Sequence, residues 1–444
     1  MISESKYFIA AHSEKKDFLQ VQWTFLSELE GILHLQLPIW RPGRYQVQNF
    51  AKNVLQVGRC QVVGGRGELK VESGKWKVVG KVASSVWELE VKKGEKVHLI
   101  WDYFAQQEDA GGSVVQEEFL YLNFINFCMY VVGCEDLPVE VTIQKNLNWD
   151  VLTALDQKDS TIWLAGSFRE LVDSPWMSAP KLNRFEWNVG DVEFVAGGLD
   201  PQFALNHKLK EAYQKFSAFQ LEYMGNFPVK KYIFMHWICP KPYYHGVEHT
   251  KSTMLVLGPP DRDLYEDLIG VASHELFHVW NVCTIRPLEL LPYSYEKEVY
   301  FQTGGIVEGI TTYLGDWFLY ASGVWTKEEY EVALEANKKL YLEKEAGNAQ
   351  SLVQSSIDLW LDGYGPSLPG KRVSIYYKGA YVAMLLDQLI REKFEDKKSI
   401  REIMIRMNDE FGGLKKGYTL QDFIRIAEEV YEGDLREWFE EWVV

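Results

Sequence analysis

Two histidines and a glutamate stand at a spacing suited to metal chemistry. The stretch Ala272-Ser-His-Glu-Leu-Phe-His-Val-Trp-Asn281 carries His274, Glu275 and His278 in the order HExxH. On an α-helix, residues four apart share a face and lie about 6 Å apart along the axis. His274 and His278 can therefore direct two imidazoles at one ion. Glu275, one position on, stands beside the ion and can take a proton from a water that the ion activates. The pattern alone is a modest signal, arising by chance in roughly one or two of a hundred chains of this composition. The competing reading is a buried, hydrogen-bonded histidine pair on a core helix.

A catalytic zinc takes three protein ligands and keeps one position open. Glu308, in Gly304-Gly-Ile-Val-Glu-Gly-Ile-Thr-Thr-Tyr313, is the candidate third ligand, at the start of a second helix. Its neighbours Ile306, Val307 and Ile310 argue against a solvated surface acid, because a carboxylate in apolar company needs a partner. Two His and one Glu suit zinc best, and one ion per chain is expected. Zinc in such a site would supply a polarised carbonyl and an acidic water. Glu275 would act as general base and then hand the proton to the leaving nitrogen. Thr312 and Asp316, one and two turns past Glu308, are candidates to hydrogen-bond a ligand.

These residues need a scaffold. The 444 residues fit two to three domains. Residues 1–168 read as β, with Phe18–Phe25, Gly31–Leu37, Val86–Val91 and Val97–Tyr103 as alternating or β-branched stretches. Turns at Val63-Gly-Gly-Arg-Gly67 and Lys92-Lys-Gly-Glu95 separate them, which suggests a sandwich-like all-β domain. Residues 169–444 read as a second, α+β domain. Residues 169–282 mix strands (Lys230–Trp237, Ser252–Leu257) with the HExxH helix, expected to start near Asp261 after Pro259-Pro260. Residues 283–444 are mostly helical, with capping-box starts at Thr326/Glu329, Ser399/Glu402 and Thr419/Asp422.

The net charge of −16 disfavours nucleic acid and anionic membrane as partners. No apolar run is long enough to span a bilayer, and no secretory signal is visible. Five widely spaced cysteines without a CxxC suit a reducing compartment, so a cytoplasmic location is expected.

HELFHVWN followed by Ile285-Arg286-Pro287, then Glu308-Gly309-Ile-Thr311 and Tyr313, resembles the glycyl aminopeptidase family of gluzincin metallopeptidases. Further similarities span most of the chain: Leu37-Pro-Ile-Trp-Arg-Pro-Gly-Arg-Tyr45, Leu171-Val-Asp-Ser-Pro175, Gly246-Val-Glu-His249 and Ser374-Ile-Tyr-Tyr-Lys-Gly379. The resemblance implies a β domain followed by a thermolysin-like catalytic domain. Members often carry a C-terminal PDZ domain, which is not expected in a sequence of 444 residues. It also implies a zinc aminopeptidase acting on peptides with a free N-terminus, with small residues such as Gly or Ala preferred there.

By the same resemblance the tyrosine that stabilises the oxyanion precedes x-Lys-Gly, which makes it Tyr376, with Tyr377 as the alternate. Glu248 is the candidate for the substrate ammonium. The resemblance places Gly246, Val247 and Glu248 on an edge strand to which a peptide can add. Asn281 and Arg286 are candidates to fix local structure or orient substrate. Two departures bear on the size preference. Cys283 and Thr284 stand where the family has basic residues, and His245 stands where it has glycine. Two other readings compete: a zinc endopeptidase, which would cleave capped peptides equally well, and a catalytically silent scaffold that keeps zinc for folding.

Overall fold

The computed structural model of the chain describes residues 1–60, 76–200, 206–365 and 367–444. It comprises two compact units. The first holds Met1–Arg41, Val47–Leu182 and Tyr295–Lys297, and the second holds Pro42–Gln46, Asn183–Ser294 and Glu298–Val444.

The first unit is built of β-sheets, as the alternating sequence requires. Its largest sheet centres on Ile2–Ala11, Phe18–Ser27 and Lys96–Phe104. Phe18–Ser27 and Lys96–Phe104 pair antiparallel with Trp23 opposite Leu99 and Val21 opposite Trp101. In Lys96–Phe104, Val97, Leu99, Trp101 and Tyr103 are buried while the residues between them are more exposed, the period-2 signature of a one-sided core. Gly31–Gln36 and Val86–Val91 pair in a separate sheet. The first unit runs past the composition change at residue 168. Trp176–Ala179 pairs with both Phe119–Leu122 and Asp150–Thr153, which keeps that segment in the β unit. The turn expected at Val63–Gly67 lies outside the described residues.

The second unit positions the metal motif. Its sheet holds β1 (Asn183–Val189), β2 (Val192–Gly198), β3 (Lys231–Ile238), β4 (Tyr244–Glu248) and β5 (Ser252–Leu257) in the order β1-β2-β3-β5-β4. The pairs β2/β3 and β3/β5 are parallel, and β4 closes one edge antiparallel to β5. Helix α1 (His207–Met224) connects β2 to β3, capped by the Asn206 side chain and ended by Gly225 at φ 77°.

The motif helix is α2 (Tyr265–Phe277). It begins later than Asp261, because the residues after Pro259 make a turn and the Asp263 carboxylate accepts from the Tyr265 N–H at 3.0 Å. Glu266 and Asp267 then lie in the first turn, where negative charge suits the helix dipole. Next come α3 (Ile310–Ala321), α4 (Lys327–Lys344), α5 (Leu352–Asp362), α6 (Tyr377–Phe394), α7 (Ile400–Phe411), α8 (Leu420–Tyr431) and α9 (Arg436–Trp442). The capping boxes expected at Thr326, Ser399 and Thr419 start α4, α7 and α8. One apolar core joins the sheet to these helices through Phe194, Phe234, Leu255, Ile269, Leu276 and Phe318. No helix among the described residues is long and apolar enough to cross a membrane.

Candidate metal centre

His274 lies in the last turn of α2, and His278 caps its C-terminus with helical dihedrals. Their Nε2 atoms are 2.9 Å apart. Glu308 Oε2 lies 3.3 Å from His278 Nε2 and 3.8 Å from His274 Nε2. Two ligands about 2.0–2.1 Å from a tetrahedral ion stand about 3.3 Å apart. The three spacings bracket that value, so the donor set fits one zinc-sized cation. The Nδ1–H of His278 donates to the Asn281 carbonyl at 2.7 Å. In the neutral ring that bond leaves the lone pair on Nε2, towards the other two donors, the tautomer a metal requires.

Electrostatics point the same way. Burial alone would lower the His278 pKa, but the carboxylates of Glu308, Glu248 and Glu275 outweigh it and push the imidazole up to about 10. Burial pulls His274 below its ordinary range. Burial also disfavours the charged form of Glu308, yet the two imidazoles hold its carboxyl down at about 2. Three carboxylates, those of Glu308, Glu248 and Glu275, thus act on His278, a charge set that favours a cation. Ligand atoms of Glu248, Glu275 and His278 also lie within 4.8 Å of one another.

Local backbone irregularities aim these side chains. The chain makes a π-type turn at Val279–Thr284, directly after His278 and kinked at Asn281 (φ −99°, ψ 71°), and another at Gly305–Gly309, around Glu308. Such turns widen the hydrogen-bond ladder and are frequent at functional sites. Asn281 ties the two together. Its side-chain amide donates to the carbonyls of Ile306 at 3.1 Å and Val307 at 3.0 Å, and to Thr311 Oγ1 at 3.1 Å. The Thr311 hydroxyl in turn donates to the Val307 carbonyl at 2.6 Å. One residue therefore fixes the His278 ring through its carbonyl and the Glu308 turn through its amide. Of the two roles the sequence offers Asn281, fixing local structure or orienting substrate, these bonds serve the first. Thr311 stands outside the candidates read from the sequence: its bond to Val307 is the ordinary i−4 back-bond of a helical threonine, and the bond that makes it part of the site reaches Asn281 across 30 residues.

Glycines set the close approaches. A Cβ on Gly315 would lie 3.1 Å from His274 Cα, so α3 can rest on the motif helix. A Cβ on Gly309 would come within 2.4 Å of Gly379 Cα, so the Glu308 turn and the start of α6 cross backbone to backbone. That crossing brings Tyr376 to the centre. Its ring is 6.4 Å from the His274 ring, centroid to centroid. Burial raises its phenol pKa well above the ordinary value, and the carboxylate of Glu308 adds to the effect, so the phenol remains a proton donor. Tyr377, the alternate, is 39% exposed at the start of α6.

Gly246, Val247 and Glu248 lie on edge strand β4, opposite Leu255, Met254 and Thr253 of β5. A Cβ on Gly246 would lie 2.1 Å from Glu275 Oε1, so this strand touches the general-base candidate through bare backbone. Glu248 and Glu275 are both buried. Arg286 is buried against the π-turn, donating to the Cys283 carbonyl at 2.9 Å with its guanidinium 3.9 Å from the Tyr293 ring. Those contacts are structural. Thr312 Oγ1 is buried without a hydrogen-bond partner, and burial pushes Asp316 up to about 7. His245 and His249 fall outside both clusters of metal-capable side chains found among the described residues.

Comparison with known proteins bears on the family and the fold. The family model for the peptidase M61 N-terminal domain matches residues 6–180, and that for the M61 glycyl aminopeptidase matches residues 267–382. Comparison with curated proteins gave no match. Among solved structures, the chain resembles an aminopeptidase N family protein from Idiomarina loihiensis, with TM-score 0.88 at 24% identity, over 100% of this chain and 76% of that one. It also resembles a mutant M1 zinc metallopeptidase from Deinococcus radiodurans, alone and bound to a Tyr-Ser-Ala substrate. The TM-score is 0.57 for both, at 12% and 13% identity, over 100% of this chain and 94% of those. At these identities the likeness is one of fold. The two family models, which together span about two thirds of the sequence, show that the chain belongs to the M61 glycyl aminopeptidase family of metallopeptidases.

Proposed function

We propose that the protein is a zinc-dependent aminopeptidase that removes small N-terminal residues, Gly or Ala, from peptides. The observation that carries this reading is the convergence of His274, His278 and Glu308 beside a buried Glu275 and an edge strand ending in Glu248. A bound zinc supplies a Lewis acid for the scissile carbonyl and lowers the pKa of its water. Glu275 takes the proton of the attacking water and passes it to the leaving amine. Tyr376 donates to the oxygen on which negative charge develops. Glu248 pairs with the substrate's α-ammonium and so sets the register at one residue. Gly246 and Val247 offer backbone groups to a peptide added alongside β4. Glu248 speaks for an exopeptidase over an endopeptidase, and a buried base beside the ligands is superfluous in a silent scaffold.

Metal analysis of the purified protein, paired with hydrolysis of Gly- and Ala-p-nitroanilide with and without chelator, tests the proposal. One zinc per chain and chelator-sensitive cleavage are expected. Glu275→Gln should retain zinc and lose at least about 10²-fold in kcat. Wild-type rates in that variant, or N-acetylated substrates cleaved as fast as free ones, would overturn the mechanism.

A further inference from the structure

Five residues from the early part of the sequence, Pro42–Gln46, belong to the second compact unit, although Arg41 and Val47 on either side belong to the first. The excursion ends on the site. Gly43 has φ 76°, a conformation that favours glycine, and a Cβ there would lie 2.3 Å from Glu248 Oε2 and 3.0 Å from Oε1. Its backbone therefore covers the carboxylate assigned to the substrate ammonium.

Tyr45 follows two residues on. It is 1% exposed, packs on Phe301 with ring centroids 4.7 Å apart, and donates its backbone N–H to the Tyr364 hydroxyl at 3.3 Å. The segment is also held at its end, where a Cβ on Gly363 would lie 2.4 Å from the Gln46 amide nitrogen. Burial raises the Tyr45 phenol well above its ordinary pKa, and the next contributions come from Glu308 and Glu248. The ring thus stands within the field of both carboxylates: the one at the metal end and the one at the amine end.

We propose that Pro42–Gln46 is the stop of the cleft, with Gly43 closing the space behind Glu248 and Tyr45 limiting the side chain of the substrate's N-terminal residue. The inference rests on the aminopeptidase reading above. A substrate residue held between Glu308 and Glu248 would meet the Tyr45 ring with its side chain. A residue preceding it would meet the Gly43 backbone. Size selection would then be set by a wall that is rigid because it is packed on Phe301, not by the metal ligands. Tyr45 is a specificity-determining residue on this account.

The test compares kcat/KM for Gly-, Ala-, Leu- and Phe-p-nitroanilide in the zinc-loaded wild type, Tyr45→Ala and Gly43→Ala. Tyr45→Ala should raise the Leu:Gly ratio at least about tenfold with zinc content unchanged. Gly43→Ala should displace Glu248 and raise KM for Gly-p-nitroanilide at least about tenfold. Should Tyr45→Ala not fold, Tyr45→Leu, which retains apolar contact with Phe301, carries the same comparison. A wild type that cleaves Gly-p-nitroanilide, joined to a Leu:Gly ratio within twofold of it in the folded Tyr45 variant, overturns the stop alone. A wild type that binds zinc and cleaves none of the anilides overturns the aminopeptidase reading and the stop with it.

Discussion

At the scale of single residues, the site is a set of charges whose protonation the surroundings dictate. Tyr376 and Tyr377 show how one position decides a role. The first is packed near His274 with a phenol that stays protonated, and the second is 39% exposed. Tyr376→Phe should therefore lower kcat by about 10²–10³ with zinc binding intact, the cost of removing one donor to a developing oxyanion. Tyr377→Phe should leave kcat within about twofold. Steady-state kinetics on Gly-p-nitroanilide checks both, and the reverse order would move the donor to Tyr377. HExxH was legible in the sequence because an (i, i+4) relation is local. Glu308 was legible because apolar neighbours around an acid demand a partner. The contacts of Asn281 were not, since its amide bonds reach 25 to 30 residues along the chain.

At the scale of elements, two π-turns and a glycine crossing bring His274 and His278, at the end of α2, together with Glu308, just before α3. Three of the later helices are legible in the sequence from their capping boxes. The π-turns are not, because they depend on side-chain bonds from the opposite turn. Helix α2 likewise starts at Tyr265, where an Asx turn overrides the expectation set by the prolines. Asn281 makes this scale testable. Asn281→Asp keeps the size and the main-chain carbonyl that holds His278, but loses the amide donors that hold the Glu308 turn. Zinc affinity, read by competition with a chromophoric chelator, should fall about 10–100-fold, the range for losing a support behind a ligand. Wild-type affinity in a folded Asn281→Asp would show that the Glu308 turn holds itself.

At the scale of the whole molecule, the sequence foretold a β-rich beginning and a helical end. It did not show that Pro42–Gln46 belongs to the second unit, because such long-range topology leaves no periodic trace. Stability should carry a pH signature of Asp316, half-buried on α3. Burial raises Asp316 from 3.8 to about 7, so between about pH 4 and pH 7 the native state keeps a proton that the unfolded chain has released. Its contribution to stability is greatest at the acid end, falls as pH rises through that window, and is level above it. Asp316→Asn should remove this slope. In urea unfolding of the metal-free protein, the variant should gain on wild type more at pH 8 than at pH 5, and an equal difference at both would exclude Asp316 as a source.

The claim beneath all of these is that three side chains hold one metal ion. Anomalous diffraction at the zinc edge from crystals of the zinc-loaded protein tests it most directly. The account predicts one peak about 2.0–2.2 Å from His274 Nε2, His278 Nε2 and a Glu308 carboxylate oxygen. A peak at another cluster, or a zinc bound by the histidines with Glu308 turned away, would contradict it.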